Sequence, residues 1–278
     1  MADDVILLEK WEPNEHIVVL TLNRPDAGNA LNTPMLEAMA EKLDEVDADT
    51  SIRVLIMRSA GPNSSFGADL NELVVKKGDG YKNMTKKDAK KHIDDGRVVA
   101  KKLFHLRVPT IGIIHGFCLG GGAELYTLCD VLCGASGGKD EGGLMYGFPE
   151  PTIGAMAGWM GPELLIKRIG VGYAKDILLS GRMVNGDEAF YMGLVQALLP
   201  KDELFERALQ WADMIVANAP LAVESTRRTL NRVMFPDFDE VVATTGSETV
   251  ENLMTKDFVK GATKILERSK EQPKYERR

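Results

Sequence analysis

Five short apolar runs in the first half of the chain have the length and composition of buried β-strands. They are rich in valine, isoleucine and leucine, and glycine, proline, asparagine or aspartate residues stand near their ends. The runs are residues 5–9, 17–22, 54–58, 110–115 and 131–133. Because helical patterns separate them, they predict one sheet system that is rich in parallel strands.

Helical spacing of apolar residues appears between these strands and dominates the last third of the chain. In residues 33–46 it predicts an amphipathic helix, with Thr33 as N-cap and Pro34 at the first helical position. The lysine- and aspartate-rich segment 74–102 predicts a solvated loop in its first half. Beyond about Asp187 we expect no strands, only helices at 203–217, 221–233, 238–253 and 255–269. Two regions follow from this pattern, a strand-rich core at 1–198 and a helical region at 199–278.

Composition and charge exclude several classes of function. The 278 residues are 44% hydrophobic and carry a net charge of −7. No apolar run approaches the roughly 20 residues of a membrane span, and the acidic balance gives no general attraction to nucleic acid. Cys118, Cys129 and Cys133 lie in apolar segments without zinc-ligand spacing, so we expect buried, reduced thiols and no metal site. The chain starts without a basic or signal-type leader, so we expect a cytoplasmic protein.

The candidate chemistry begins at residues 113–125, where an apolar strand runs into three glycines and a helix-compatible segment. Glycines let the backbone approach a ligand closely, and free N–H groups at a helix start hold developing negative charge. The spacing of these glycines fits neither a dinucleotide-binding fingerprint nor a phosphate loop. We expect the Gly121 N–H to be an oxyanion donor. Alone, the three glycines also fit a tight turn beneath a packed helix.

A second loop, at residues 64–70, follows the strand at 54–58 and again sets a glycine beside a carboxylate. Two such loops can supply a pair of N–H donors. Thioester chemistry needs such a pair, because an enolate formed at C2 places its charge on the thioester oxygen. Alone, this loop is also compatible with an ordinary surface turn.

Short motifs in a fixed order along nearly the whole chain resemble those of the enoyl-CoA hydratase/isomerase, or crotonase, superfamily. Residues 23–31 hold the early N-R-P and N-A-L elements, and residues 67–70 read G-A-D-L, similar to the family's oxyanion loop. The most specific match is G-G-G-A-E-L at residues 120–125. Residues 147–150 and 180–195 resemble two later signatures of the family.

The resemblance implies an α/β fold, a repeated ββα spiral closed by a C-terminal helical region that forms trimers. It implies two acid/base residues, Glu124 and Glu150, and two backbone oxyanion donors, Phe66 and Gly121. Coenzyme A would be part of the substrate, so no separate cofactor is expected. The substrate contacts that the resemblance implies are Arg24, Pro25, Ala27, Ala68, Asp69, Leu70, Gly158 and Trp159.

Because both acids are present, the resemblance implies water addition across the C2=C3 bond of a 2-enoyl-CoA thioester, as in fatty-acid β-oxidation, by a homotrimer or dimer of trimers. Phe66, Trp159 and Met160 depart from the family pattern and leave the acyl group open. The main alternative is therefore an enoyl-CoA isomerase, or a hydratase or hydrolase for a cyclic acyl-CoA. A non-catalytic acyl-CoA-binding subunit is opposed by the two acids, and an RNA-binding member is opposed by the acidic charge.

Overall fold

A computed structural model of the protein describes residues 5–77, 80–271, 273 and 275. The strands, in chain order, are β1 (Ile6–Trp11), β2 (Asn14–Leu22), β3 (Val54–Ser59), β4 (Val74–Lys77), β5 (Gly80–Asn83), β6 (Thr110–Ile114), β7 (Phe117–Leu119), β8 (Val131–Ala135), β9 (Met145–Gly147), β10 (Met183–Asn185) and β11 (Ala197–Leu199). The helices are α1 (Thr33–Ala48), α2 (Leu70–Leu73), α3 (Lys86–His105), α4 (Gly120–Thr127), α5 (Gly161–Ser180), α6 (Gly186–Tyr191), α7 (Leu204–Val216), α8 (Pro220–Met234), α9 (Phe238–Leu253) and α10 (Lys256–Leu266).

The main sheet has six strands in the order β1-β2-β3-β6-β8-β11. Its first pair is antiparallel and every other pair is parallel, as expected for apolar runs that helices separate. All five predicted strands are present. The expectation of no strand beyond Asp187 was wrong, because β11 pairs in parallel with β8. With three residues, β11 is too short for a period to be recognised in the sequence.

A strand, strand, helix order recurs three times and brings two loops side by side. After β3 the chain makes a parallel bridge from Ser65 to Cys118 and enters α2. After β6 it forms β7 and enters α4, and after β8 it forms β9 and reaches α5. Strands β7 and β9 pair in parallel in a second, smaller sheet. Because Ser65 pairs with Cys118, residues 65–68 run beside residues 118–121.

Two local predictions in the first half of the chain need correction. Helix α1 begins at Thr33, but its N-cap is Asn32, whose side chain accepts a hydrogen bond from the Met35 N–H at 3.1 Å. The solvated loop predicted after residue 74 instead contains β4 and β5, which pair as an antiparallel hairpin. Helix α3 then begins at Lys86 after the cap residue Thr85. The many charged side chains hid the strand pattern.

The four C-terminal helices are present, but they differ in what they cover. Helix α7 packs its buried Leu204, Ala208 and Ala212 on the main sheet, whereas α9 lies along α3. Helix α10 packs on the turn that follows Glu150, where a Cβ on Gly261 would lie 2.3 Å from Ile153 Cα. The division between residues 198 and 199 stays a prediction.

The three cysteines are buried and form no disulfide, as expected for packing residues. Across the part of the chain that the structure describes, no helix combines the length and apolarity needed to span a bilayer.

Candidate active site

Each of the three glycines at the start of α4 leaves space that a different neighbouring side chain occupies. A Cβ on Gly120 would lie 2.7 Å from Glu150 Oε1, and Gly120 has the left-handed φ of +51° that favours glycine. A Cβ on Gly121 would lie 2.3 Å from the indole of Trp159. A Cβ on Gly122 would lie 2.4 Å from Ser65 Cβ. The triple glycine therefore permits close packing around α4, in addition to providing free N–H groups.

Glu124 lies one turn into α4 and is 2% exposed. Its Oε2 accepts hydrogen bonds from the N–H groups of Trp159, at 2.7 Å, and Gly161, at 2.5 Å. Its Oε1 accepts one from the Gly158 N–H at 3.2 Å. These donors belong to the segment that leads into α5, so the backbone of that segment fixes the carboxylate in place.

Glu150 follows Pro149 and starts a short 3-10 turn, residues Glu150–Ile153. The residue as a whole is partly exposed, but its Oε2 is fully buried and accepts no hydrogen bond from the residues that the structure describes. Its other oxygen lies over Gly120. Unlike the Glu124 carboxyl group, this one has an oxygen free for another proton donor or acceptor.

Both carboxyl groups bind protons more tightly than glutamate does in water. Burial raises the pKa of Glu124 to about 8; the charge of Glu150 acts in the same direction, and the N–H donors of Gly161 and Trp159 act against it. Burial also raises the pKa of Glu150 to about 7. The two acids interact, so near neutral pH the pair holds about one proton. The three N–H donors stabilise the Glu124 carboxylate, so an ionised Glu124 beside a protonated Glu150 is one of the two single-proton states of the pair.

The N–H of Phe66, which the sequence suggested as the second oxyanion donor, already has a backbone acceptor. The Phe66 N–H donates to the Gly28 carbonyl oxygen at 3.0 Å, so the expectation that Phe66 is a free donor was wrong. Its ring is 47% exposed and packs against Gly28 and Phe117, on the outside of the loop.

Two residues later, Ala68 has a free N–H. The residues before and after Ala68 both hydrogen-bond to Leu31. The Leu31 N–H donates to the Gly67 oxygen at 2.8 Å, and the Asp69 N–H donates to the Leu31 oxygen at 3.1 Å. In such a parallel bridge the N–H of the middle residue points the other way. Among the described residues Ala68 N finds no acceptor.

The Ala68 and Gly121 donors lie on neighbouring loops. The Gly121 N–H is in the first turn of α4 and has no acceptor within the helix. The two residues each stand three positions beyond the paired Ser65 and Cys118. A Cβ on Gly67 would lie 3.1 Å from Gly121 N, which shows how closely the loops approach.

Arg24 and Asp69, both expected to contact substrate, form an ion pair with each other. The Arg24 guanidinium lies 3.3 Å from Asp69 Oδ2 and donates to the Ala30 carbonyl oxygen. Asp69 also accepts from the Asn71 N–H at 3.1 Å and caps α2, which starts at Leu70. The pair therefore ties the loop after β2 to the loop that presents Ala68.

The remaining predicted contacts are divided between the surface and the core. Pro25 and Ala27 form a short 3-10 turn in which Ala27 is exposed. Gly158 and Trp159 are buried, and the Trp159 indole lies between Gly121 and Gly96 of α3. The structure thus brings Glu124, Glu150, Gly121, Gly158 and Trp159 together.

Sequence reasoning missed the polar residues that α3 and α5 bring towards this centre. His92, Arg97 and Glu163 each have a buried nitrogen or oxygen without a hydrogen-bond partner among the described residues. The charge of Glu163 acts to raise the pKa of Glu124, and the charge of Glu124 acts to raise the pKa of Arg97. Helical spacing places His92 and Arg97 in one segment, but only the packing of α9 shows that they are buried.

The chain is similar over most of its length to known proteins. The sequence profile of the enoyl-CoA hydratase/isomerase family matches residues 12–278. The chain is 32% identical to a short-chain-enoyl-CoA hydratase of Clostridium acetobutylicum over 95% of each chain. It is 33% identical to a 2,3-dehydroadipyl-CoA hydratase of Escherichia coli over 78% of this chain and 79% of the relative.

Among solved structures, an enoyl-CoA hydratase from Bacillus anthracis superimposes with a TM-score of 0.75 at 28% identity, over 98% of this chain and 99% of that one. The likeness confirms the predicted α/β fold class, the crotonase-like spiral. The trimer contact expected of the C-terminal helices stays a prediction. Full-length agreement of sequence and fold places this chain in the enoyl-CoA hydratase/isomerase family.

Proposed function

We propose that this protein is an enoyl-CoA hydratase, which adds water across the C2=C3 double bond of a 2-enoyl-CoA thioester. The observation that carries the proposal is the pair of buried acids, Glu124 and Glu150, beside two free N–H groups on adjacent loops. The hydratase names of relatives that align along most of the chain support it.

In this proposal the N–H groups of Ala68 and Gly121 donate to the thioester oxygen. They stabilise the negative charge that develops there as C3 is attacked. Arg24 and Asp69 act at a distance, because their ion pair holds the loop that presents Ala68. The bound oxygen polarises the double bond, so that C3 becomes electrophilic and C2 accepts a proton.

Glu124 and Glu150 supply the two proton transfers. The Glu124 carboxylate orients water and removes one of its protons as the water oxygen bonds to C3. Protonated Glu150 gives its proton to C2, which completes the addition of H and OH. Afterwards Glu124 is protonated and Glu150 ionised, so exchange with solvent restores the starting forms. Gly158, Trp159 and Gly161 keep the Glu124 carboxylate from turning away.

The test is a panel of 2-enoyl-CoA and 3-enoyl-CoA thioesters. Loss of the enoyl thioester absorbance with formation of a 3-hydroxyacyl-CoA is the expected result. Conversion of a 3-enoyl-CoA to a 2-enoyl-CoA without hydration would contradict the proposal and establish an isomerase. Isomerisation needs a carboxylate and the oxyanion pair but no activated water, so the second buried acid favours hydration.

We also propose that the protein assembles as a homotrimer or dimer of trimers. Helices α5 and α6 expose large apolar side chains, and Tyr173 and Tyr191 stack edge to face with centroids 6.5 Å apart. Exposed apolar patches of this kind mark contact surfaces. Light scattering at micromolar concentration tests the proposal, and a stable monomer would contradict it. The other exposed members are Ile166, Val171, Leu179 and Phe190.

A further inference from the structure

Arg97 of α3 is a buried cation whose Nε and Nη2 atoms have no hydrogen-bond partner among the described residues. The side chain is 9% exposed, and these two atoms are fully buried. Buried charges in proteins are normally paired and hydrogen-bonded, because their desolvation is costly. A guanidinium also cannot escape that cost by losing its proton at neutral pH.

Two other residues near this part of α3 also have buried polar atoms without partners among the described residues. Trp159 Nε1 and His92 Nδ1 are also buried without partners among the described residues, and their rings lie 5.3 Å apart. Burial lowers the pKa of His92 to about 4, so its ring is neutral at neutral pH and offers one N–H. Gly246 of α9 makes room for the guanidinium, since a Cβ there would lie 1.8 Å from Nη1.

The nearby acids do not satisfy this cation. Asp94 pairs with Lys90 at the surface. Glu163 accepts the Thr245 hydroxyl on Oε1, and its Oε2 has no partner among the described residues. Both attract Arg97 electrostatically, yet neither hydrogen-bonds to it. An anion that enters this site can accept hydrogen bonds from the unpaired N–H groups of the guanidinium. Their spacing suits the two oxygens of a carboxylate.

Trp159 connects this site to the thioester site. One edge of its indole lies over Gly121, the oxyanion donor, and the other edge lies over Gly96, the residue before Arg97. A cavity of about 440 Å³ between α3 and α9 has Arg97 in its lining, with Lys86, Lys90, Asp94 and Glu251. The charges of Glu124 and Glu163 both act on Arg97, so its guanidinium lies near the thioester site, on the side of α3 and α9.

From this placement we infer that Arg97 binds a carboxylate at the far end of the acyl chain, so that the preferred substrates are ω-carboxy-2-enoyl-CoA thioesters. The inference rests on the proposed hydratase function and names its substrate class. Trp159 forms the wall along which the chain runs. The Arg97 guanidinium donates to the carboxylate from Nε and Nη2, the two buried atoms without a partner.

The test compares trans-2-enoyl-CoA thioesters of six, eight and ten acyl carbons, each with a methyl or a carboxylate at the far end. We expect kcat/KM to favour the carboxylate by about tenfold or more at one length, as for a charge-assisted bidentate contact. Arg97→Met, which keeps the length of the side chain, should remove that preference and leave the methyl substrates within about threefold. Lys90→Met is the matched control at the cavity rim and should keep the preference.

Two results would overturn the inference and leave the hydratase proposal intact. One is hydration of the methyl series with no carboxylate preference at any length. The other is an Arg97→Met enzyme that retains the preference, or loses affinity equally for both series, which would assign Arg97 to the coenzyme A part. If Arg97→Met does not fold, Arg97→Lys keeps the charge without the fork and should weaken the preference. Failure to hydrate either series contradicts the hydratase proposal itself.

Discussion

Glu124 and Arg97 are both buried ionisable residues near the same centre, but they differ in their hydrogen-bond partners. Glu124 accepts three backbone N–H groups within 3.2 Å, all from one segment. Arg97 receives no acceptor from the described residues, although Glu163 and Asp94 are close enough to act on its charge. A charge that reacts must be held in one geometry, whereas a charge that binds substrate must be left available.

The two sites also differ in how far the sequence alone could identify them. The Glu124 site uses backbone groups and a motif that the family resemblance identifies. The Arg97 site uses side chains of α3, α5 and α9 that no motif marked.

Replacing either acid should produce the largest loss. We expect Glu124→Gln and Glu150→Gln each to lower the hydration rate by about 10²-fold to 10⁴-fold, because each removes one proton transfer. Stopped-flow loss of enoyl absorbance measures this, and coenzyme A binding should persist. The matched control is Glu163→Gln, a third acid in the same region, which should hydrate methyl-ended substrates within about threefold of wild type. A near wild-type rate for either of the first two variants would remove that residue from the mechanism.

Removing one of the two proposed oxyanion N–H groups should produce the second largest loss of rate. Replacing Ala68 by lactic acid, or Gly121 by glycolic acid, exchanges the N–H for an ester oxygen without adding a side chain. Each should slow turnover by about 10²-fold to 10³-fold, the usual cost of one oxyanion donor. Replacing Phe66 by phenyllactic acid removes the bond to Gly28 instead, so it should lower the unfolding free energy by about 1 kcal/mol and leave turnover little changed. If the Phe66 replacement slowed turnover and the Ala68 replacement did not, Phe66 would be the oxyanion donor, as the sequence suggested.

The pH dependence should follow the two raised pKa values. Below about 7 both carboxyl groups become protonated and no base remains, and above about 8 both become ionised and no acid remains. We therefore expect a bell-shaped profile of kcat/KM with its maximum between these values, and a fall of about tenfold per pH unit on each side. A profile that is flat from pH 5 to 9 would be inconsistent with the pair.

The same protonation has a consequence for stability. Both folded-state pKa values lie above the ordinary value of 4.5, so the native state holds more protons than the unfolded state between about pH 4.5 and 8. Stability should therefore fall as pH rises through this window. Urea unfolding of Glu150→Gln beside wild type at several pH values measures it, and the variant should show a shallower fall.

The smallest effect should come from Phe66. Because its ring packs outside the loop, on Gly28 and Phe117, Phe66→Ala should change kcat/KM for any acyl chain by less than about threefold. Comparison of six- and ten-carbon substrates checks this. A chain-length shift of tenfold or more would mean that the ring faces the acyl group.

Most of the fold and about half of the candidate site could be predicted from the sequence. The strands of the main sheet have apolar runs long enough to recognise, but β11 does not. Glu124 and Glu150 stand in motifs, so they could be named in advance. The proposed donor, Ala68 instead of Phe66, depends on which way each N–H points, and the motif does not contain that direction. Arg97 is buried because Gly246, on a helix near the other end of the chain, packs against it.

Identification of the product formed in ¹⁸O-labelled water tests the central claim most directly. The account predicts that wild-type protein converts a 2-enoyl-CoA into a 3-hydroxyacyl-CoA with ¹⁸O at C3, and that Glu124→Gln and Glu150→Gln form it far more slowly. A product without ¹⁸O at C3, a shifted double bond or free coenzyme A from the wild-type protein would contradict the account.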